Sequence, residues 1–327
     1  MSIKFLYDRQ KIAITYGEQK ISYADVIKYV NFYSDFLDIE KGDRSALMME
    51  NRPESIFSFF SIWARKGIAI SLDAGYTVDQ LAYVLGDSEP KYLFVSNKTK
   101  EVAEAANSKL NNAIKIINVD ELQMPADYKI KQEEFSNDSN EDVAVLVYTS
   151  GTTGNPKGVM ITYENIETNM AGVRAVDLVN ETDVILAMLP YHHIMPLCFT
   201  LILPMYLGVP IVLLTEISSA SLLKTLQENR VTVIVGVPRV WEMLDKAIMT
   251  KINQSSVAKF MFKLASKTNS MSIRKMLFSK VHKQFGGHIR LMVSGGAKID
   301  KNILEDFRTM GFRAIQGYGM TETAPII

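Results

Sequence analysis

Short apolar runs of strand character alternate with amphipathic stretches of helical character along most of the chain. That rhythm limits the fold more than any other feature. Parallel strands are joined only by long crossovers, so a strand, a 3.6-period stretch and another strand make a βαβ unit. Strand-like runs lie at 12–16, 45–49, 68–72, 92–95, 114–119, 143–148, 184–189, 210–214, 231–235, 289–293 and 312–315. Gly17 and Glu18 separate the first run from Lys20-Ile-Ser-Tyr23, which reads as a hairpin. Residues 25–37 set Val26, Val30, Tyr33 and Leu37 on one helical side, and 54–65 open behind Pro53, a residue suited to a first helical turn. Residues 120–142 break the rhythm: they are acidic and polar, contain Pro125 and read as a linker. The expected architecture is α/β, with mostly parallel sheets flanked by helices in two similar subdomains, 1–142 and 143–327.

Charge excludes some function classes. The 36 Lys and Arg balance the 36 Asp and Glu, whereas a dedicated nucleic-acid binder carries a basic excess. Cys198 is the single cysteine, which rules out an internal disulfide framework and any multi-cysteine zinc or iron–sulfur site. The first eight residues place charges where a secretory signal needs an apolar core, so the expected location is the cytoplasm. From Val184 to Thr215 no Asp, Glu, Lys or Arg occurs, a length that matches a bilayer core of ~30 Å. Pro190, Pro196, Pro204 and Pro210 divide it, and a proline inside a helix costs ~3 kcal/mol. The segment therefore reads as a strand, a short buried helix and a strand, with Cys198 as a small buried hydrophobe.

Two segments carry chemistry. Tyr148-Thr-Ser-Gly-Thr-Thr-Gly-Asn-Pro-Lys-Gly-Val-Met160 begins at the end of a strand and contains three glycines, four Ser or Thr hydroxyls and one lysine. Glycines let N–H groups converge on an anion, hydroxyls add donors, and Lys157 adds a point charge, which suits a polyphosphate. It is not a Walker A loop, because Gly158 follows Lys157 where that motif needs Ser or Thr. Gln316-Gly-Tyr-Gly-Met-Thr-Glu-Thr323 again follows a strand. Tyr318 between glycines offers a flat face to a base, while Thr321 and Glu322 offer the oxygen ligands that Mg²⁺ prefers beside a phosphate.

Together these segments resemble the adenylate-forming superfamily of acyl-CoA synthetases, luciferases and peptide-synthetase adenylation domains. Leu189-Pro-Tyr-His-His-Ile194 resembles the segment whose histidine lines the acyl pocket, and Ser294-Gly-Gly-Ala297 resembles the loop against the adenine. Glu50-Asn-Arg-Pro-Glu54 also fits, and Val237-Pro-Arg-Val-Trp-Glu-Met-Leu244 is similar to long-chain fatty-acid–CoA ligases. The resemblance implies an adenylating large domain that activates a carboxylic acid, of fatty type, with ATP and Mg²⁺ and passes the acyl group to CoA. Ser150, Gly151, Thr152, Thr153 and Gly154 would form the phosphate loop with Lys157, and Thr149 with Glu322 would hold the metal. Thr321 would contact the AMP phosphate, and Tyr318 would face the adenine. Gly295, Gly296, Ala297, Gln316, Gly317 and Gly319 would shape the nucleotide pocket, and His193 would line the acyl pocket. A carboxylate is already an anion at neutral pH, so attack on the α-phosphate needs charge neutralisation and positioning rather than a general base.

Other readings stay open. His192 and His193 are neighbours, which in a strand would face opposite sides and share no metal. A non-catalytic nucleotide- or acyl-binding module, or an enzyme for an aryl or other acid, fits the same motifs. No Asp occurs from Val184 to Leu244, which disfavours an amino-acid substrate, and Met195-Pro-Leu-Cys198 stands where some long-chain enzymes carry an aromatic gate. Residues 246–299 hold eleven Lys or Arg and no acid. Within them Val257, Phe260, Met261 and Leu264 follow helical spacing, which reads as amphipathic helices with a solvated basic face. The alternative is a surface for CoA phosphates or for the anionic inner face of a membrane.

Relatives in this superfamily continue past the nucleotide motif into a C-terminal domain with a catalytic lysine, which would make these 327 residues a truncated piece. The 327 residues alone are therefore expected to exchange pyrophosphate into ATP far more slowly than a ligase carrying that domain. An exchange assay returning a full-length rate defeats this expectation.

Overall fold

The computed structural model describes residues 2–3, 9–133, 135–149, 155–216 and 218–326. The regular structure starts with β1 (Ser2–Ile3), the hairpin β2 (Ile12–Tyr16) and β3 (Gln19–Ser22), then α1 (Tyr23–Ser34). Next come β4 (Arg44–Met48), α2 (Pro53–Ala64), β5 (Ile68–Leu72), α3 (Val78–Ser88), β6 (Tyr92–Val95), α4 (Lys100–Ser108) and β7 (Lys115–Asn118). The strands β8 (Phe135–Ser136), β9 (Val143–Thr149) and β10 (Lys157–Thr162) precede α5 (Tyr163–Ala175) and β11 (Ile185–Ala187). A continuous helical run follows: α6 (Ile194–Pro196), a π-helical stretch Leu197–Ile202, and α7 (Leu203–Leu207). The remainder is β12 (Ile211–Leu213), α8 (Ser219–Asn229), β13 (Val233–Gly236), α9 (Pro238–Asn253) and α10 (Ser256–Lys267). Finally α11 (Met271–Leu277), α12 (Ser279–Gln284), β14 (Leu291–Ser294), α13 (Lys301–Thr309) and β15 (Ala314–Gln316) complete the chain.

Local chemistry sets the helix boundaries. Ser22 accepts from the Asp25 amide while Asp25 accepts from the Ser22 amide, so α1 starts two residues before the apolar periodicity suggests. Thr77 with Gln80 and Thr162 with Asn165 repeat that box at α3 and α5. Gly208 ends α7 in the left-handed region at φ 66°, which places Pro210 at the mouth of β12. The charge-free stretch is thus a strand, buried helical turns and a strand, as its prolines require. Among the described residues no helix is long and apolar enough to cross a membrane.

Among the described residues the strands form a six-stranded sheet, β10-β9-β5-β4-β6-β7, a seven-stranded sheet, β15-β14-β13-β11-β12-β2-β3, and a small antiparallel pair of β1 with β8. Only β10 in the first and β3 in the second run antiparallel to their neighbours. Side-chain alternation assigns each strand face to a core. Leu47, Ala69, Phe94 and Val145 of the first sheet, with Ile185, Ile211, Val233 and Leu291 of the second, close on α1, α2, α5 and the 194–207 helices between the sheets. The opposite face of the first sheet (Ala46, Met48, Ile70, Leu93) packs on α3 and α4. That of the second (Leu186, Val212, Ile234, Met292) packs on α8, α9 and α13. The result is five layers, helix–sheet–helix–sheet–helix.

A division at residue 142 does not match these sheets. β9 and β10 complete the first sheet beside β5, and β2 and β3 complete the second beside β12. Residues 120–142 accordingly join β7 to β9 of one sheet. They are held against α1, where Asn31 accepts from the amides of Lys131 and Gln132 and Asp35 pairs with Lys131.

At the N-terminal edge of the second sheet, Asp183 is buried below β11, β13 and β14. It accepts from Arg290, from the Thr232 hydroxyl at 2.7 Å and from the Asn180 amide at 2.9 Å. Burial alone would raise its pKa, but these three partners hold it below the usual carboxylate range. Its stabilising effect is therefore complete above the unfolded value of about 3.9 and fades as pH falls from there through the lower folded value. Asp183→Ala should cost ~3 kcal/mol by urea unfolding at neutral pH, because it strands Arg290. The variant should also lose part of the acid sensitivity of the parent below about pH 4.

Candidate active site

The C-terminal ends of parallel strands are where α/β sheets leave their backbone groups and loops free for a ligand. Here the ends of β9, β11, β13, β14 and β15 converge on a cleft of about 620 Å³. It gathers Thr149, His193, Gly295, Gly296, Gly317, Tyr318, Gly319 and Thr321 from four separate sequence motifs. Val147, Leu189, Ile194, Met195, Phe199, Val237 and Val293 supply much of the remaining wall.

The first motif is a β-hairpin rather than a strand-to-helix loop. Thr149 ends β9, Lys157 starts β10, and the two are cross-strand partners. The hydroxyl and the ammonium stem thus leave the sheet side by side, at the spacing of directly opposed antiparallel residues. Ser150, Gly151, Thr152, Thr153 and Gly154 lie outside the described residues. Tyr148 anchors the end of β9 by donating to Asp87 of α3 at 2.5 Å.

The second and third motifs extend the parallel ladder beyond the last strand residues. The Gly295 amide donates to Gly236 O at 3.0 Å, and the Gly317 amide to Ser294 O at 2.8 Å. Gly296 takes φ +78°, which side-chain-bearing residues rarely adopt, and turns the chain toward Ala297 at the surface. Gly319 is required for space: a Cβ there would sit 1.6 Å from Pro325 O. Between Gly317 and Gly319, Tyr318 is 70% exposed, so its ring presents a free face at the cleft. Thr321–Thr323 form a 3₁₀ turn, pinned where Asn169 of α5 donates to Thr323 O at 3.0 Å and accepts from the Ile326 amide at 2.9 Å.

The two histidines sit in a turn after Pro190, not in a strand, so strand alternation does not set their directions. Their ring centroids are 4.1 Å apart. His193 lines the cleft, while His192 lines a second pocket of about 300 Å³ and stands 3.7 Å from Asp73. Desolvation lowers the His192 pKa to about 4, helped by its neighbour and opposed by Asp73. Desolvation also lowers that of His193, again against Asp73, so both rings are neutral at pH 7. Among the described residues no group of three or more His, Cys, Asp or Glu could hold a metal. Cys198 is fully buried, with its thiol pushed up to about 12 by desolvation, and takes no part in the cleft.

Asn51 fixes this histidine turn, and its role is invisible in the sequence pattern. It donates to Leu189 O at 2.7 Å and accepts from the Tyr191 amide at 3.3 Å. The turn carrying it is braced by Arg52, which bonds Glu54 and Asp120 at 2.7 Å each and lies 3.7 Å from Glu50. The segment Glu50–Glu54 therefore acts through position: it holds the first sheet's strand ends against the loop that bears His193.

Lys157, Ala297, Gln316 and Glu322 are exposed beside the cleft and do not line it. Gln316 ends β15, and Glu322 lies on the 3₁₀ turn that rests on β10. The donor chemistry of Thr149 and Glu322, one hydroxyl and one carboxylate, fits a Mg²⁺ ion that completes its shell with phosphate oxygens and water.

The AMP-binding enzyme family model matches residues 7–327. Fatty acyl-CoA synthetase A of Dictyostelium discoideum is 28% identical over 318 residues, covering 88% of this chain and 47% of that protein. The mitochondrial malonate–CoA ligase of Homo sapiens is 26% identical, covering 86% and 46%. The chain thus spans about half the length of these curated relatives. O-succinylbenzoate coenzyme A synthetase from Bacillus subtilis, solved with ATP and magnesium, superposes with a TM-score of 0.77 at 25% identity, covering 99% of this chain and 60% of that one.

Asn51→Ala leaves the Leu189 carbonyl and Tyr191 amide without their partner and frees the histidine turn. Calorimetry should show an acyl-adenylate analogue binding about tenfold more weakly, or ~1.4 kcal/mol. AMP alone should bind as before.

Proposed function

Because the chain belongs to the AMP-binding enzyme family, we propose that its cleft binds ATP and an apolar monocarboxylic acid of fatty type and joins them as an acyl-adenylate, the donor of the acyl group to CoA. The observation that carries this is the convergence of Thr149, His193, Gly295, Tyr318 and Thr321 on one cleft from motifs far apart in sequence. Stacking on Tyr318 and the free backbone of the glycine turns suit an adenosine. Thr149, beside Lys157 on the hairpin, suits the phosphates. With Mg²⁺ held through Thr149 and Glu322, the metal would supply charge neutralisation at the phosphates. The chain's own groups position the acid's oxygen in line with the α-phosphate, and the neutral His193 lines the wall without adding a charge there.

The lining also speaks to the acid. Among the described residues the cleft wall contains no Lys or Arg and no Asp or Glu. A second carboxylate, such as that of malonate or succinylbenzoate, would lose its hydration with no cation to meet it. An amino group would likewise find no carboxylate. An alkyl chain against Ile194, Met195, Phe199 and Val293 pays neither cost, and each buried CH₂ contributes ~0.8 kcal/mol.

Non-hydrolysable acyl-sulfamoyl adenosines carrying octanoyl, lauroyl, malonyl and succinylbenzoyl groups separate the readings. Calorimetry should rank the alkyl analogues above both charged ones, with affinity rising from octanoyl toward lauroyl. Equal affinity for all four, or for sulfamoyl adenosine alone, leaves a nucleotide-binding module. A preference for malonyl overturns the fatty-acid reading.

A further inference from the structure

Helices α9 to α12 carry a surface that neither the cleft nor the core explains. On α10 the apolar periodicity does not face the protein, contrary to its reading as the packed side of an amphipathic helix. Val257 is 69%, Phe260 67% and Leu264 46% exposed; Met261 is half-buried and only Ala265 is fully buried. At about 100° per residue, Val257, Phe260 and Leu264 span a sector of about 60°. Lys259, Lys263 and Lys267 fill the adjoining sector of about 80°, all exposed. Met276 on α11, 68% exposed, and Met243 on α9 border the same apolar groove as Val257, a hollow of about 600 Å³ with Lys251 and Lys280 at its margin. The apolar stripe and the groove are therefore one surface.

The charges of residues 246–299, which contain most of this surface, are unspent. Lys246, Lys251, Lys259, Lys263, Lys267, Lys275, Lys280, Lys283 and Lys298 are exposed, and none enters an ion pair among the described residues. The other two cations of the segment are used internally: Arg290 pairs with Asp183, and Arg274 donates to Ala265 O, Thr268 O and Arg308 O. Free CoA phosphates or a soluble polyanion would satisfy the lysines but leave Phe260, Val257 and Met276 in water. A second copy of the chain would cover the apolar stripe but oppose lysine to lysine. One occupant meets both features. A bilayer with anionic headgroups takes the apolar stripe a few ångströms below the phosphates while the lysine row stays at their level.

We propose that α10, with the adjoining faces of α9 and α11, is a reversible docking surface for anionic membranes. It stands on this surface alone and does not depend on the substrate assigned above. The attachment is shallow, because the apolar sector is narrow and α10 is a 12-residue helix. It is also electrostatic: each lysine near an anionic surface contributes about fivefold in affinity, equivalent to ~1 kcal/mol. Since Val237, the residue that leads into α9, lies on the cleft wall, the docked helices and the cleft share one continuous stretch of chain.

Flotation with vesicles of phosphatidylcholine, alone or mixed with phosphatidylglycerol, tests this. The 327-residue chain should float with the mixed vesicles at low salt and release at high salt, and should ignore pure phosphatidylcholine. Phe260→Asp with Val257→Asp should abolish flotation. Lys259→Ala, Lys263→Ala and Lys267→Ala together should weaken it about a hundredfold. Circular dichroism and AMP binding, both expected unchanged, show that these variants are folded. The proposal is overturned by any of four results. These are no flotation with mixed vesicles, equal flotation with neutral ones, a Phe260→Asp Val257→Asp variant that floats like the parent, or a Lys259→Ala, Lys263→Ala and Lys267→Ala triple variant that floats like the parent. Sedimentation velocity adds a fifth: self-association that Phe260→Asp alone removes, without vesicle binding, assigns the face to a second copy.

Discussion

The cleft depends on parallel pairing that continues after the strands have ended. Gly295 N–H to Gly236 O and Gly317 N–H to Ser294 O are ladder bonds made by residues already in the loops. They fix two glycine turns relative to each other with the accuracy of a sheet, although loops alone would hold them far less rigidly. The absence of side chains lets the backbone approach itself and a flat ligand. At Gly319 that approach is so close that no Cβ fits. The other end of the same strands is closed by Asp183 and Arg290, so the sheet carrying the glycine turns is clamped at one edge and open for chemistry at the other.

A site built from two sheets needs a tie between them, and Asn51 provides it. Both its bonds go to backbone groups of the Leu189–Tyr191 segment, so it reads the path of that chain rather than the identity of its side chains. Arg52 next to it neutralises Glu54 and Asp120 in a partly buried network, where an unpaired guanidinium would be costly. The first sheet therefore contributes to the cleft twice: through Thr149 directly, and through Asn51 by setting where His193 stands.

Much of this was legible in the residues. Buried parallel strands read as short apolar runs, and a dense loop of glycines and hydroxyls behind such a run is a local signal that needs no partner to be recognised. What could not be read is who pairs with whom. β2 lies beside β12 at a separation of about two hundred residues, and β9 beside β5 across the intervening α3, β6, α4 and β7. A polar linker-like composition at 120–142 says only that the segment is on the surface, not that two domains part there. The directions of His192 and His193 could not be read for a related reason. A pair of residues after Pro190 has no periodicity to betray whether the chain is extended or turning. Asn51 falls in the Glu50–Glu54 segment that the resemblance includes, but its partners lie about 140 residues away, so nothing local states what it holds.

The α10 stripe shows the limit of periodicity most clearly. Helical spacing of Val257, Phe260 and Leu264 states that the helix has an apolar side, but not that the protein covers it. In the structure α10 packs on the core through Ala258, Met261, Phe262 and Ala265, so the exposed Val257, Phe260 and Leu264 contribute little to folding. Exposed apolar stripes of this kind favour association of any sort, and a protein that keeps one free must bias what it meets. Nine lysines on the surrounding segment, unpaired among the described residues, supply such a bias. They repel a second copy of the same face and attract a negatively charged surface. The balanced net charge of the whole chain conceals this, because the neutralising carboxylates lie outside residues 246–299. Local charge, and not the sum, decides what the face can touch.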